Sequence, residues 1–179
     1  YCFIKQFDTV PVEFIAIDTN LDKMKNRVSQ EKWAINTLLE SRSRWRILFG
    51  HHPWTSFGVH GKSKKKNSKL DDFYQKLVET NKVDLIISGH ENSQQHIYIP
   101  ETPHMIISGV GGYTHKEQNE KESDSDEDTR ENDIFLAKEL KFRSIEAGCV
   151  KLDVRRNELR VSFYNTKNAV LYSFKIKKV

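Results

Sequence analysis

The sequence predicts an α/β protein in which a parallel α/β unit is followed by antiparallel strands. Three observations carry this expectation. Apolar runs of strand length close at residues 18, 50 and 89, and two stripes of helical spacing separate them. Beyond residue 93 the pattern changes to short strands parted by turns, with no helical stripe among them. At 179 residues the chain fits about one domain with a core of ordinary size.

Taken in order, "VEFIAID" (12–18) reads as a buried strand closing on Asp18-Thr19. Ser29 is the expected N-cap of "QEKWAINTLLESRSR", whose Ile35, Leu38, Leu39 and Arg42 are spaced as an amphipathic helix with a polar far end. "WRILFG" (45–50) is the second strand, broken at Gly50, with Trp45 expected in the core. A loop containing Pro53, Gly58 and Gly61 leads to Leu70, Phe73, Tyr74, Leu77 and Val78, a second helical stripe. "VDLIISG" (83–89) is the third strand. This alternation makes an open α/β unit of parallel strands, and ligands gather beyond the carboxyl ends of such strands.

The runs "QQHIYIP", "HMIISG", "AGCVKLDV", "ELRVSFYN" and "AVLYSFKIKK" then supply antiparallel strands that extend one sheet or form a second. Residues 116–133, "KEQNEKESDSDEDTREND", hold no apolar residue to bury and read as a mobile surface loop. The chain opens on "YCFIKQFDTV", without Met and as if in mid-strand, which is expected of a segment of a longer protein.

The net charge of +4 gives a mild attraction to anions. It falls far short of the concentrated basic stripe of a nucleic-acid binder, so no nucleic-acid partner is expected and a phosphate-bearing one fits. No run approaches the ~18 apolar residues needed to cross a bilayer, so no membrane span is expected. Cys2 and Cys149 lie at opposite ends of the chain, outside any spacing of structural zinc. "HGKSKKKNSK" (60–69) carries five lysines, either to steer a phosphorylated substrate or as a solvated loop. Ser123 and Ser125 each have an acidic residue three positions on, the spacing of acidophilic kinase sites. Asn-x-Ser/Thr does not occur.

His51 follows "WRILFG" and His90 follows "VDLIISG", each directly after a strand-terminating glycine. A single strand-end histidine is an ordinary turn residue. Two in equivalent settings, on strands that the intervening helix places side by side, can converge on one ion. Imidazole suits Zn, Fe, Ni and Cu, and Mn with carboxylate support.

The stretches "FIAIDT", "ILFGHHPWTSFGVHG", "LIISGHEN" and "ISGVGG" resemble the C-terminal half of the tartrate-resistant, mammalian-type purple acid phosphatases, members of the calcineurin-like metallophosphoesterases. The resemblance spans nearly the whole chain and leaves 116–133 as a local elaboration. It implies a metallophosphoesterase-type sandwich, with residues 1–179 the C-terminal part of a single domain. It also implies hydrolysis of phosphate monoesters by an acid phosphatase with two metal ions, iron paired with iron, zinc or manganese. On this resemblance His51 and His90 hold the second metal, Asn92 stands at a ligand position of the first, and His60 contacts substrate and protonates the leaving group. His52 falls at a variable position and receives no metal role. The implied substrate is a phosphorylated small molecule or phosphoprotein, and the implied compartment is secreted or lumenal/lysosomal.

Two departures qualify the resemblance. The carboxylate-bearing motifs Asp-x-Gly, Gly-Asp-x-x-Tyr and Gly-Asn-His are absent. The N-terminal half of the same domain is therefore expected to complete the centre, and this chain alone is expected to be inactive. Asn92 replaces the family's histidine with a neutral, weaker amide donor, where losing even an outer partner of a ligand costs about 10–100-fold. The same replacement resembles that in apicomplexan membrane-anchor proteins of the phosphatase fold, which implies a second reading, a catalytically degenerate scaffold that binds protein partners. His96, in "QQHI", is a conceivable substitute ligand but is expected to point elsewhere along its strand.

Overall fold

The computed structural model describes residues 1–57, 68–112 and 138–178, so His60 and the acidic run 116–133 lie outside the described residues. Strand β1 (Cys2–Phe7) folds back antiparallel on β2 (Val10–Ala16). Helix α1 (Arg27–Glu40), strand β3 (Trp45–Gly50), helix α2 (Ser68–Val78) and strand β4 (Leu85–Ser88) follow. As predicted, β2, β3 and β4 pair side by side in parallel. Strands β5 (Gln94–Ile97), β6 (His104–Ser108) and β7 (Leu140–Ser144) extend this sheet to the order β1-β2-β3-β4-β6-β5-β7. Strands β8 (Gly148–Val154), β9 (Glu158–Asn165) and β10 (Val170–Lys177) form a separate antiparallel sheet of three. The later strands thus do both things open to them, extending one sheet and building a second.

The central strands are apolar on both sides because the sheet lies between two layers. Val12, Trp45, Ile47, Leu85 and Ile106 pack against Leu159, Val161 and Phe163 of the small sheet. Their alternates Ile15, Leu48, Ile86 and Ile107 turn to Ala34 and Leu38 of α1 and to Leu70, Phe73, Tyr74 and Leu77 of α2. Each large side chain so buried contributes about 1.5–3 kcal/mol. Polar fasteners tie the small sheet to the large one. Trp45 Nε1 donates to the Arg155 carbonyl (2.8 Å) and Arg44 Nε to the Arg156 carbonyl (2.8 Å). Asp84, just before β4, accepts from the Arg46 backbone N–H and from Lys178 Nζ, each at 2.7 Å.

Several boundaries differ from the sequence reading. Helix α1 begins at Arg27, after Asn26, so Ser29 lies inside it and is not its N-cap. The first turn is drawn forward by Gln30, whose Oε1 accepts from Asp18 N (2.8 Å) while its Nε2 donates to the Asp18 carbonyl (2.9 Å). The helix ends at Glu40, before the expected polar tail, because Ser41 is extended and Arg44 N already donates to the Pro11 carbonyl (3.0 Å). Leu39 is 53% exposed, since the face that meets the sheet is Ala34–Leu38, four residues apart. Strand β7 was not expected; "LKFRS" is short, with two basic residues among five, and gains its strand form by pairing with β5. Cys2 and Cys149 are both free and exposed.

His96 points toward the small sheet, as expected of a strand residue with no place among the metal ligands. Its ring lies flat on Phe174 (centroids 3.6 Å apart), with Nδ1 3.1 Å from Tyr172 Oη and Nε2 2.9 Å from His104 Nδ1. Burial, followed by the charges of His104 and Lys141, pulls His96 down to about 3, and burial alone pulls His104 down to about 4. Both rings are therefore neutral in the fold, whereas in the unfolded chain they titrate near 6.5. Their contribution to stability is complete above about pH 6.5 and is lost progressively as pH falls from there toward the folded values. We expect the melting temperature to drop between pH 7 and pH 4.5, and the drop to be smaller in a His96→Gln/His104→Gln double variant. An equal drop in both proteins would remove this pair as a cause.

Candidate metal centre

The site begins as a property of the backbone. Strands β3 and β4 pair with Gly50 opposite Ser88, and the ladder continues past both strand ends, where Gly89 N donates to the His51 carbonyl at 3.1 Å. His51 and His90 are thereby delivered to the same edge. His90 has a φ of 66°, and Glu91 N donates to the Gly89 carbonyl at 2.8 Å. This is a three-residue turn of the positive-φ kind, a rare and strained conformation. A second three-residue turn follows at Asn92, closed by Ser93 N to the Glu91 carbonyl at 2.8 Å.

The strained turn is braced from outside. Gly109, just past β6, donates its N–H to the Ser93 carbonyl (3.1 Å), and a Cβ at this position would lie 1.7 Å from the Glu91 carbonyl oxygen. Only glycine permits that approach. Ser56 Oγ donates to the buried Glu91 carboxylate (2.9 Å), and Phe57 N donates to Gln95 Oε1 (2.9 Å), so the two histidine-bearing loops are cross-bonded.

Three imidazoles gather at this edge. His51 Nε2 and His90 Nδ1 are 3.1 Å apart, and one ligand atom from each of His51, His52 and His90 lies within 4.8 Å of the other two. His52 is held by a neighbour from β2's end. Thr19 Oγ1 accepts from His52 N at 2.9 Å and lies 2.9 Å from His52 Nδ1. Thr19 reaches this position because Gly50 has no Cβ, which would sit 2.7 Å from Thr19 Cγ2. From the helix side Tyr74 Oη donates to the His52 carbonyl at 2.8 Å, and Trp54 stacks on the Tyr74 ring. Burial pushes the Tyr74 phenol far above its ordinary range, so it stays a donor. Burial, then the charge of His51, pulls His52 below the ordinary histidine range, against Asp18, which pulls upward. The neutral imidazole this favours is the form that binds metal.

The structure brings together His51 and His90 as the sequence predicted. It adds His52, which had been given no metal role, and the supports Thr19, Tyr74 and Gly109. The signal for Thr19 was present: it follows the end of a strand parallel to β3, and so belongs to the same edge. Asn92 lies partly exposed at the centre of its turn. The histidine trio includes no carboxylate. The donors present suit a transition metal. With bonds of about 2.0–2.1 Å, two nitrogens on one ion stand about 2.9 Å apart at a right angle and about 3.4 Å at the tetrahedral angle. The separation of 3.1 Å between His51 and His90 falls between these. Imidazole nitrogens suit Zn, Fe, Co, Ni or Cu, whereas Mg and Ca take oxygen ligands.

Residues 6–94 match the calcineurin-like phosphoesterase family. Purple acid phosphatase 4 of Arabidopsis thaliana is 28% identical over 142 residues, covering 79% of this chain and 37% of the relative. Purple acid phosphatase 17 of the same plant is 36% identical over 76 residues, 42% of this chain and 21% of the relative. Residues 6–94 thus resemble a calcineurin-like phosphoesterase domain, and the chain is similar to plant purple acid phosphatases. Among solved structures, GAP50, the anchor in the inner membrane complex of Plasmodium, superposes with a TM-score of 0.76 at 20% identity, covering 100% of this chain and 54% of that one. Purple acid phosphatase PPD1 of yellow lupin (Lupinus luteus) superposes with a TM-score of 0.68 at 16% identity, covering 98% and 32%. These two structures share the fold. The chain spans 37% or less of the length of the curated phosphatases it matches.

Because a methyl group at residue 109 meets backbone and cannot be relieved by a rotamer change, Gly109→Ala should force the 90–93 turns aside. Overpacking of this kind costs typically about 1–3 kcal/mol. Urea denaturation should show a loss of at least that size, and wild-type stability in the variant would contradict the packing described.

Proposed function

We propose that this chain carries part of the active site of a metal-dependent acid phosphatase that hydrolyses phosphate monoesters. The observation that carries the reading is the meeting of His51 and His90 at the carboxyl edge of adjacent parallel strands, in a stretch that matches the calcineurin-like phosphoesterase family. His51 and His90 would hold one metal of a pair, iron with iron, zinc or manganese. Asn92 would offer its amide oxygen to the other, and residues outside this chain would supply the carboxylates. Bound there, the ions would stabilise charge on both the entering and the leaving oxygen, the service that slow phosphate-ester hydrolysis most needs. The residues of this chain position the donors. Gly89, Gly109 and Ser56 fix the turn that presents His90. His60, assigned by resemblance, would give a proton to the leaving oxygen, a role worth about 10²–10⁴-fold. The substrate would be a phosphorylated small molecule or phosphoprotein. A secreted or lumenal compartment fits the phosphatase homologues, and no helix among the described residues is long and apolar enough to cross a membrane.

One observation favours a second reading. Asn92 stands where a histidine ligand is expected, and the fold is shared with a Plasmodium protein described as an anchor. A degenerate phosphatase-fold scaffold would keep the fold and bind protein partners without turnover.

Two measurements on the full-length protein separate these. Elemental analysis should find about two metals per chain, and His51→Ala or His90→Ala should lower kcat/KM on an aryl phosphate by at least about 10–100-fold. A protein with neither metal nor turnover, which retains its partners after both substitutions, is the scaffold. If a weakened first-metal site limits the rate, Asn92→His should raise turnover; no gain at any pH would count against that role for Asn92.

A further inference from the structure

We propose that His52 is a metal ligand, so that His51, His52 and His90 hold one transition-metal ion as a three-imidazole set supplied wholly by this chain. The proposal rests on the reading of this edge as a metal centre and adds to it a ligand, a coordination set and an occupancy independent of outside residues.

The ring centres are spaced as those of three donors around one point would be, and one ligand nitrogen from each ring lies within 4.8 Å of the other two. An ion about 2.0–2.1 Å from a ring nitrogen lies roughly 3.2 Å from that ring's centre. Three rings on one ion therefore have centres about 4.5 Å apart at right angles and about 5.2 Å apart at tetrahedral angles. The observed separations are 4.7 Å between His51 and His52, 4.6 Å between His52 and His90, and 5.0 Å between His51 and His90. All three fall inside that interval, and His52 stands as close to the other two as they stand to each other. The rings are not stacked: the three interplanar angles are 83°, 50° and 80°.

The hold on His52 has the pattern of a ligand histidine, whose second ring nitrogen is fixed by a hydrogen bond that sets ring and tautomer. Its Nδ1 faces Thr19 Oγ1 at 2.9 Å, its N–H donates to the same oxygen, and its carbonyl accepts from Tyr74. With Nδ1–H donating to Thr19, the lone pair lies on Nε2. Three neutral imidazoles add no charge, so a divalent ion there keeps its full positive charge and leaves coordination positions open to an anion such as phosphate.

Cobalt(II) is the direct probe, because its visible d–d absorption reports coordination number and ligand set. Titration of the metal-free full-length protein should saturate at two equivalents of Co²⁺, one of them with the absorption of a three-imidazole set. His52→Gln should weaken binding at least about 10-fold and change the band pattern, while Thr19→Val, which keeps the ring, should weaken it by up to about 10–100-fold. Binding and spectrum unchanged in His52→Gln, but lost in His51→Ala, would overturn the role of His52 and leave the metal centre standing. Absence of Co²⁺ binding by the unaltered protein would overturn both. Should His52→Gln fail to fold, ¹⁵N shifts of the unaltered protein decide: Zn²⁺ should move His52 Nε2 together with ring nitrogens of His51 and His90. A bound Zn²⁺ that leaves His52 unmoved would overturn the proposal.

Discussion

The parallel ladder between β3 and β4 runs from Ile47 opposite Leu85 to Gly50 opposite Ser88. It then continues one bond beyond both strands, from Gly89 N to the His51 carbonyl. Every distance at the histidine edge follows from that register. A slip of one residue would turn each side chain to the other face of the sheet. It would move His90 away from His51 and send Ile86 and Leu85 to the wrong layers. The apolar alternation that buries the sheet on both sides therefore also aligns the imidazoles, and the two requirements cannot be satisfied separately.

Burial on both faces divides the labour between the ends of the sheet. At the amino ends of β3 and β4, Arg44, Trp45 and Asp84 bind the small sheet through hydrogen bonds and the Lys178 ion pair. At the carboxyl ends, the helix layer sends Tyr74 to the His52 backbone, and the neighbouring strand sends Thr19 to its ring. Backbone strain of the kind seen at His90 costs on the order of 1–3 kcal/mol and persists only where the surroundings over-determine it. Here they do so through Gly109, which bonds Ser93, and Ser56, which bonds the Glu91 carboxylate.

Much of this arrangement was legible in the sequence. Period-2 and period-3.6 patterns set out the parallel unit, and glycines before His51 and His90 marked both strand ends. Family resemblance supplied the chemistry proposed for those positions. What stayed hidden depended on contacts between distant residues. Helix α1 starts early because Gln30 reaches back to Asp18, and "LKFRS" becomes a strand because β5 offers it an edge. His52 looked like a variable neighbour of a ligand, because nothing local reveals that Thr19, 33 residues upstream, will orient it. Gly109 is one glycine among several until Glu91's carbonyl is seen pressing against it.

That pressing contact determines how the site can respond. A loop with slack could swing its ligands to suit whichever cation arrived. The turn at His90 has none, being closed by its own three-residue hydrogen bond and blocked from behind by the backbone at residue 109. On the proposed metal role, the edge would therefore act as a gauge of fixed span, choosing among metals by fit to a set angle and by which are available. The same stiffness makes β6, a strand that contributes no donor, part of the measuring instrument.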